Sequence, residues 1–266
     1  MNIELITKQA IEIVSETGNY IRNEQSKFNI KNIEVKGKHD FVTSVDKNSE
    51  KKLVDGLIKI LPESGFIAEE NTSNKHGKKY NWIIDPLDGT TNFIHGLPPY
   101  AISVALVEDN KLILGIVYEI TADECFYANI QSKAFLNDKE IKVSQTELID
   151  ESLIATGFPY HDYKRIDQFM KTLEYFFVNS HGVRRLGSAA TDLAYVACGR
   201  FDSFYEYNLN PWDVAAGALI IQQAGGKVSD FRGGQDFIFG KEIIASNEIL
   251  YQDFLKIINE IMVLDV

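Results

Sequence analysis

The segment Trp82-Ile83-Ile84-Asp85-Pro86-Leu87-Asp88-Gly89-Thr90-Thr91-Asn92 constrains this chain most. An apolar, β-favouring run leads into two acids, a proline and a glycine, and then into small hydroxyl residues suited to opening a helix. Proline has no N–H to extend the strand and glycine admits a tight backbone path, so the chain turns sharply where its two carboxylates lie. An ordinary Asp-Pro turn followed by a helix cap satisfies the same letters. The apolar strand before the turn and the Thr-Thr-Asn after it shift the balance toward function. Acids at the carboxyl end of a strand, beside exposed backbone N–H groups, suit a divalent cation and a phosphate together. Metal-assisted phosphate chemistry is therefore the first expectation.

Competing phosphatase signatures can be checked directly. A phosphoaspartate enzyme places its two acids two apart, whereas Asp85 and Asp88 are three apart. The GxxxxGK[ST], GxSxG and HExxH patterns are absent, which removes support for P-loop, serine and zinc mechanisms. With 27 basic against 38 acidic residues the net charge is −11, which argues against a broad nucleic-acid footprint and leaves open a local basic patch around Arg184 and Arg185. Cys125 and Cys198 lie far apart without a ligand pattern, so neither a disulfide framework nor a zinc site is expected, and a cytoplasmic setting fits. Residues 1–24 have the apolar spacing of an amphipathic helix and not of a signal peptide, and no run approaches the roughly 18 apolar residues of a membrane span. The expectation is a protein neither secreted nor anchored.

Along the chain, Lys31 to Asp40 reads as a mobile loop, Asn48 to Leu61 as a second amphipathic helix stopped by Pro62, and Gly65 to Ala68 as a short strand. Asn71 to Tyr80 is a polar loop placed where it can act as a lid over two acids. Strands are expected at Ala101 to Val107, Leu112 to Tyr118, Glu124 to Ala128 and Ile141 to Val143, forming an antiparallel meander. Thereafter strands at Leu153 to Thr156 and Phe204 to Glu206 alternate with helices at Ile166 to Val178, Ser188 to Ala197 and Val214 to Ala224, the last two followed by glycine. The chain is thus read as one domain over 1–266 with two packed lobes, α+β over about 1–150 and α/β over 151–266.

Further acids have two readings each. Glu69 and Glu70 are a solvated surface pair on ordinary burial statistics, yet they end a short strand just before another acid-tipped one, so one of them is a candidate ligand. Asp213, in Pro211-Trp212-Asp213-Val214-Ala215-Ala216-Gly217, suits a helix cap, as does Asp46 at the start of the second helix. Capping and metal binding are compatible, because a cap residue can turn one oxygen outward.

Asp40 to Asp46, Ile67-Ala68-Glu69-Glu70, Trp82 to Asn92, Arg185-Leu186-Gly187-Ser188-Ala189-Ala190 and Pro211 to Gly217 together resemble the signatures of the inositol monophosphatase family, most closely its bacterial inositol-1-monophosphatase branch. The resemblance implies the layered α-β-α-β-α sandwich of the sugar phosphatase superfamily and a Mg²⁺-dependent phosphomonoesterase acting on myo-inositol 1-phosphate and related monophosphates. It implies two or three Mg²⁺ per site: the first on Glu69, Asp85 and the Leu87 carbonyl, the second on Asp85, Asp88 and Asp213, and a weaker third on Glu69 with waters. It further implies a metal-activated water oriented by Thr90, with Asp46 behind it as proton acceptor, and phosphate binding by the Gly89 and Thr90 N–H groups. Asp88, the Ala189 backbone, Glu206 and Asp213 would meet the sugar; Glu206 also reads as a strand-end surface acid. Asn210 leaves leaving-group selectivity open, and His95 is read without a metal role. A homodimer and Li⁺ inhibition are implied as well. Fructose-1,6-bisphosphatase and 3′(2′),5′-bisphosphate nucleotidase activities share the same acids, and a regulatory protein-binding role is the rival of a different class.

Overall fold

The computed structural model describes residues 1–27, 34–37, 40–73, 75–159 and 162–263, with 34–37 and 40–42 described as backbone only. In chain order the elements are α1 (Ile3–Gln25), β1 (Glu34–Gly37), β2 (Asp40–Val42), α2 (Ser44–Ile60), β3 (Gly65–Ala68), β4 (Tyr80–Asp88), α3 (Thr90–His95), β5 (Ala101–Glu108), β6 (Lys111–Glu119), β7 (Glu124–Asn129), β8 (Phe135–Leu136) and β9 (Lys139–Glu140). They continue with β10 (Leu153–Thr156), α4 (Ile166–Asn179), β11 (Gly182–Arg184), α5 (Ala189–Ala197), β12 (Ser203–Tyr207), α6 (Pro211–Gln223), β13 (Lys227–Ser229), β14 (Glu242–Ser246) and α7 (Tyr251–Met262).

Strands β3 to β9 form one sheet in sequence order, antiparallel except for the parallel pair β3/β4. A second sheet has the order β11-β10-β12-β14-β13, parallel across β11/β10/β12 and antiparallel beyond. Helices α1 and α2 cover one face of the first sheet, α5 and α6 lie between the sheets, and α4 and α7 cover the outer face of the second. The expected α-β-α-β-α layering is therefore present. Each helix carries the pattern its layer demands. On α1, Ile3, Ile6, Ala10, Val14 and Ile21 are buried on one face, whereas every residue of α6 from Val214 to Ile221 is buried because a sheet lies on either side.

Three expectations are corrected. Helix α2 begins at Ser44, four residues before the expected start: Thr43 caps it and the Asp46 carboxylate accepts the Thr43 N–H at 2.8 Å, a reciprocal cap that defines the first turn. Within the expected loop from Lys31 to Asp40, Glu34–Gly37 pairs antiparallel with Asp40–Val42, and the rest of that segment lies outside the described residues. No strand forms at Ile141 to Val143. The Val143 N–H instead bonds the Ala224 carbonyl at the end of α6 and the Ile141 N–H bonds Ala134, while Phe135–Leu136 and Lys139–Glu140 make the hairpin.

Candidate functional site

Because β3 and β4 are parallel, both deliver their carboxyl ends to the same edge, where β3 runs into Glu69 and β4 into Asp85 and Asp88. Residues three apart on a regular strand face opposite sides of a sheet. Here Asp85 pairs with Ser103 and Asp88 with Ala101, three residues against two, so an extra residue bulges at Pro86 and Leu87 and returns both acids to one side. Leu87 buries its side chain completely, donates its N–H to Asp85 at 2.9 Å and accepts the Thr90 hydroxyl on its carbonyl at 3.0 Å. Gly89 follows at φ +89°, a conformation where a side chain is strained, and a Cβ would stand 3.1 Å from the Pro99 carbonyl oxygen.

The opposite wall comes from the second sheet and its helices. The Ser188 hydroxyl and the Ala190 N–H both bond one oxygen of Asp88, at 2.6 and 2.7 Å, tying the start of α5 to the end of β4. Asn92 donates to the Leu186 and Pro99 carbonyls, which fixes the turn before α5 against α3. Asp213, in the first turn of α6, accepts the Asn210 N–H at 2.7 Å, so its cap role holds. Between the walls lies a cavity of about 280 Å³. Glu69, Asp85, Leu87, Asp88, Gly89, Thr90, Ala189, Glu206 and Asp213 all line it. Asp46 does not line it; it sits buried one layer behind, 3.1 Å from the Thr90 hydroxyl.

This convergence raises the proton affinity of every acid involved. Burial, then the charges of Glu69, Asp88 and Asp213, hold Asp85 well above its ordinary range; burial, then Asp213 and Glu70, do the same to Glu69. Burial, then Asp88 and Glu206, raise Asp213 likewise. Burial lifts Asp88 to about 6 against its hydrogen bonds from Ser188 and Ala190, and lifts Glu206 to about 8. Glu69 and Asp85 are two buried carboxyls that stand close on one wall, and the Glu69 charge raises the proton affinity of Asp85. The donor set is all oxygen, as Mg²⁺ demands. Among the described residues no three acidic, His or Cys side chains form a ready-made cage. The residues present fit the metal.

Sequence reasoning missed several lining residues. Arg185, grouped above with Arg184 as a basic patch, lines the cavity with its guanidinium 5.3 Å from the Phe158 ring centroid, and its charge counteracts the upward shifts of Asp88, Asp192 and Glu206; Arg184 alone is exposed. Asp192, buried on α5 at the cavity wall, is held well above its ordinary range by burial and by Glu206. Gly157 leaves the space the Glu206 carboxylate occupies, since a Cβ there would overlap it. An acid in an apolar helix and a glycine after a strand carry no local signal of such roles. His95 is exposed at the end of α3 and does not line the cavity.

A two-sheet, five-layer sandwich with an acid-lined cavity at the sheet edges defines the class of fold as that of the sugar phosphatases. Superposition on the extragenic suppressor protein SuhB of Bartonella henselae gives a TM-score of 0.90 at 36% identity, covering 96% of this chain and 99% of that one. A relative from Neisseria meningitidis serogroup B named putative Nus factor SuhB is 45% identical over 83% of this chain and 85% of its own length. One from Thermotoga maritima, named fructose-1,6-bisphosphatase/inositol-1-monophosphatase, is 39% identical over 88% of each. The inositol monophosphatase family model matches residues 2–262, and the chain belongs to that family.

Proposed function

We propose that this protein is a Mg²⁺-dependent phosphomonoesterase that hydrolyses myo-inositol 1-phosphate and related monophosphates to the alcohol and inorganic phosphate. The observation that carries the reading is the meeting of Glu69, Asp85, Leu87, Asp88 and Asp213 on one cavity, where burial and mutual repulsion raise the proton affinity of the carboxyls. Glu69, Asp85 and the Leu87 carbonyl would hold a first Mg²⁺, Asp85, Asp88 and Asp213 a second, and Glu69 a weaker third. When bound, the ions supply charge stabilisation to the phosphoryl oxygens and make a water acidic enough to attack. The Thr90 hydroxyl, which donates to Asp46, would orient an attacking water, and Asp46 would accept a proton relayed through that hydroxyl. The Gly89 and Thr90 N–H groups hold the phosphate at the start of α3. Glu206, the Ala189 backbone, Asp88 and Asp213 meet the hydroxyls of the departing alcohol. Li⁺ competing at a metal position and a homodimeric assembly belong to the same reading.

The test is phosphate release with Mg²⁺ from myo-inositol 1-phosphate, fructose 1,6-bisphosphate and adenosine 3′,5′-bisphosphate in parallel, for wild type and Asp85→Asn. The inositol ester is expected to be preferred, and the variant to lose roughly 10³-fold in kcat/KM, as befits several kcal/mol of charge stabilisation. Preference for another ester keeps the metal mechanism and replaces the substrate; no release from any ester overturns the reading. The Thermotoga relative's name supports the bisphosphate as the first rival substrate. The Neisseria relative's name, putative Nus factor, supports a regulatory binding role beside catalysis, and partner binding that persists in Asp85→Asn would separate the two.

A further inference from the structure

Glu50 is fully buried on α2 and turns both carboxylate oxygens to backbone N–H groups. One carboxylate oxygen accepts the Glu70 N–H at 2.7 Å and the other accepts the Thr72 N–H at 2.7 Å. Asn71 between them has φ +53°, so the two N–H groups come from a tight turn directly after Glu69. Glu69 is also tied from the other side, its own N–H donating to Ile84 of β4 at 3.2 Å. Asp46 lies one turn earlier on the same face of α2 and accepts the Thr90 hydroxyl. One helix face therefore grips both the turn that carries Glu69 and the hydroxyl that follows Asp88. The cost of burying a carboxylate is offset by two charge-assisted bonds only while both N–H donors stay in place.

We propose that Glu50 is a positioning residue that sets where the Glu69 carboxyl stands relative to Asp85, and so tunes cation affinity without touching the cation. This rests on the Mg²⁺-dependent reading. With Glu50 altered, the turn after Glu69 loses its anchor on α2 while the Asp88 and Asp213 side, held by α5 and Asn210, keeps its own bonds. The defect falls on metal binding and leaves ester binding in place.

Glu50→Gln tests this, since it keeps the volume but sets an NH₂ group against one of the two N–H donors. Mg²⁺ binding is measured by calorimetry without ester, beside the Mg²⁺ half-saturation of phosphate release, the ester KM at saturating Mg²⁺ and the thermal midpoint. The expected result is a ~10-fold or greater loss of Mg²⁺ affinity, the scale of lost support behind a metal ligand, with ester KM nearly unchanged. A folded Glu50→Gln protein with a wild-type Mg²⁺ isotherm overturns the assignment, even if its midpoint falls, because a purely structural glutamate would act in that way. Should the variant not fold, amide exchange in the wild type decides: Mg²⁺ is expected to slow exchange at Glu70 and Thr72, and indifference there overturns the proposal. A wild type that takes up no Mg²⁺ overturns the functional reading and this inference with it, whereas the isotherm outcome overturns this inference alone.

Discussion

The Thr90 hydroxyl has one proton and two acceptors, the Leu87 carbonyl at 3.0 Å and Asp46 at 3.1 Å, so in turning to one it leaves the other for an arriving donor. Replacing Thr90 by Val keeps the shape and removes this relay. We expect kcat to fall roughly 100-fold with KM little changed, and Thr90→Ser to retain most activity, read from steady-state kinetics on the inositol ester. That Asp85, Asp88 and Thr90 meet at one place was legible because all three belong to one short turn. The choice between Glu69 and Glu70 came from the family resemblance and not from the residues themselves, because adjacent side chains diverge at a strand end and register decides which faces inward. The structure lines the cavity with Glu69 and commits the next N–H to Glu50. Asp192 and Gly157 were invisible for a related reason: their neighbours in the chain are not their neighbours at the cavity.

One wall of the site stands on α6, whose placement depends on a close approach to β6. Gly115 of β6 faces α6, where an added Cβ would come within 2.5 Å of the Ala216 carbonyl oxygen and 3.1 Å of its Cα. Backbone cannot give way there as a flexible side chain does, and α6 carries Asp213. Gly115→Ala is expected to cost about 1–3 kcal/mol in urea unfolding, the range of overpacked cores, and to reduce Mg²⁺ affinity as α6 is pushed away. The helices were the more legible elements. The structure covers α6 on every side, and glycines at positive φ after α5 and α6 ended both within a residue or two of expectation. The start of α2 was read late because Asp46 serves two partners, Thr43 in the cap and Thr90 at the site, and a polar first turn looks like loop. The short strands β13 and β14 and the helix α7 went unassigned. Strands of three and five residues have too few alternations to stand out from a loop.

Bringing the two sheets together concentrates negative charge, and stability should reveal it. Glu206 binds its proton with a pKa of about 8 in the fold against 4.5 in an exposed chain, and Asp88 at about 6 against 3.8. Between those values the folded chain holds more protons than the unfolded one, so stability falls as pH rises. The contribution is complete below about pH 4 and is lost through pH 6 for Asp88 and pH 8 for Glu206. For metal-free protein the thermal midpoint is expected to drop between pH 5 and pH 9, Glu206→Gln to flatten the upper part of the fall, and Mg²⁺ to offset the lower part. A midpoint that rises with pH over this range would contradict the charge crowding. Residues close in the chain declare their joint role through spacing, because a strand, a turn and a helix start are short-range objects; hence the central turn was readable from the letters, and the layer pattern came with the family resemblance. The cavity joins residues 69, 85, 87–90, 189, 206 and 213, and their distances depend on the parallel pairing of β3 with β4 and on packing α6 between two sheets. Those are contacts between segments far apart in the chain, settled by burial of the whole core, so Arg185 in the cavity and Glu50 beneath the Glu69 turn emerged only from the folded molecule.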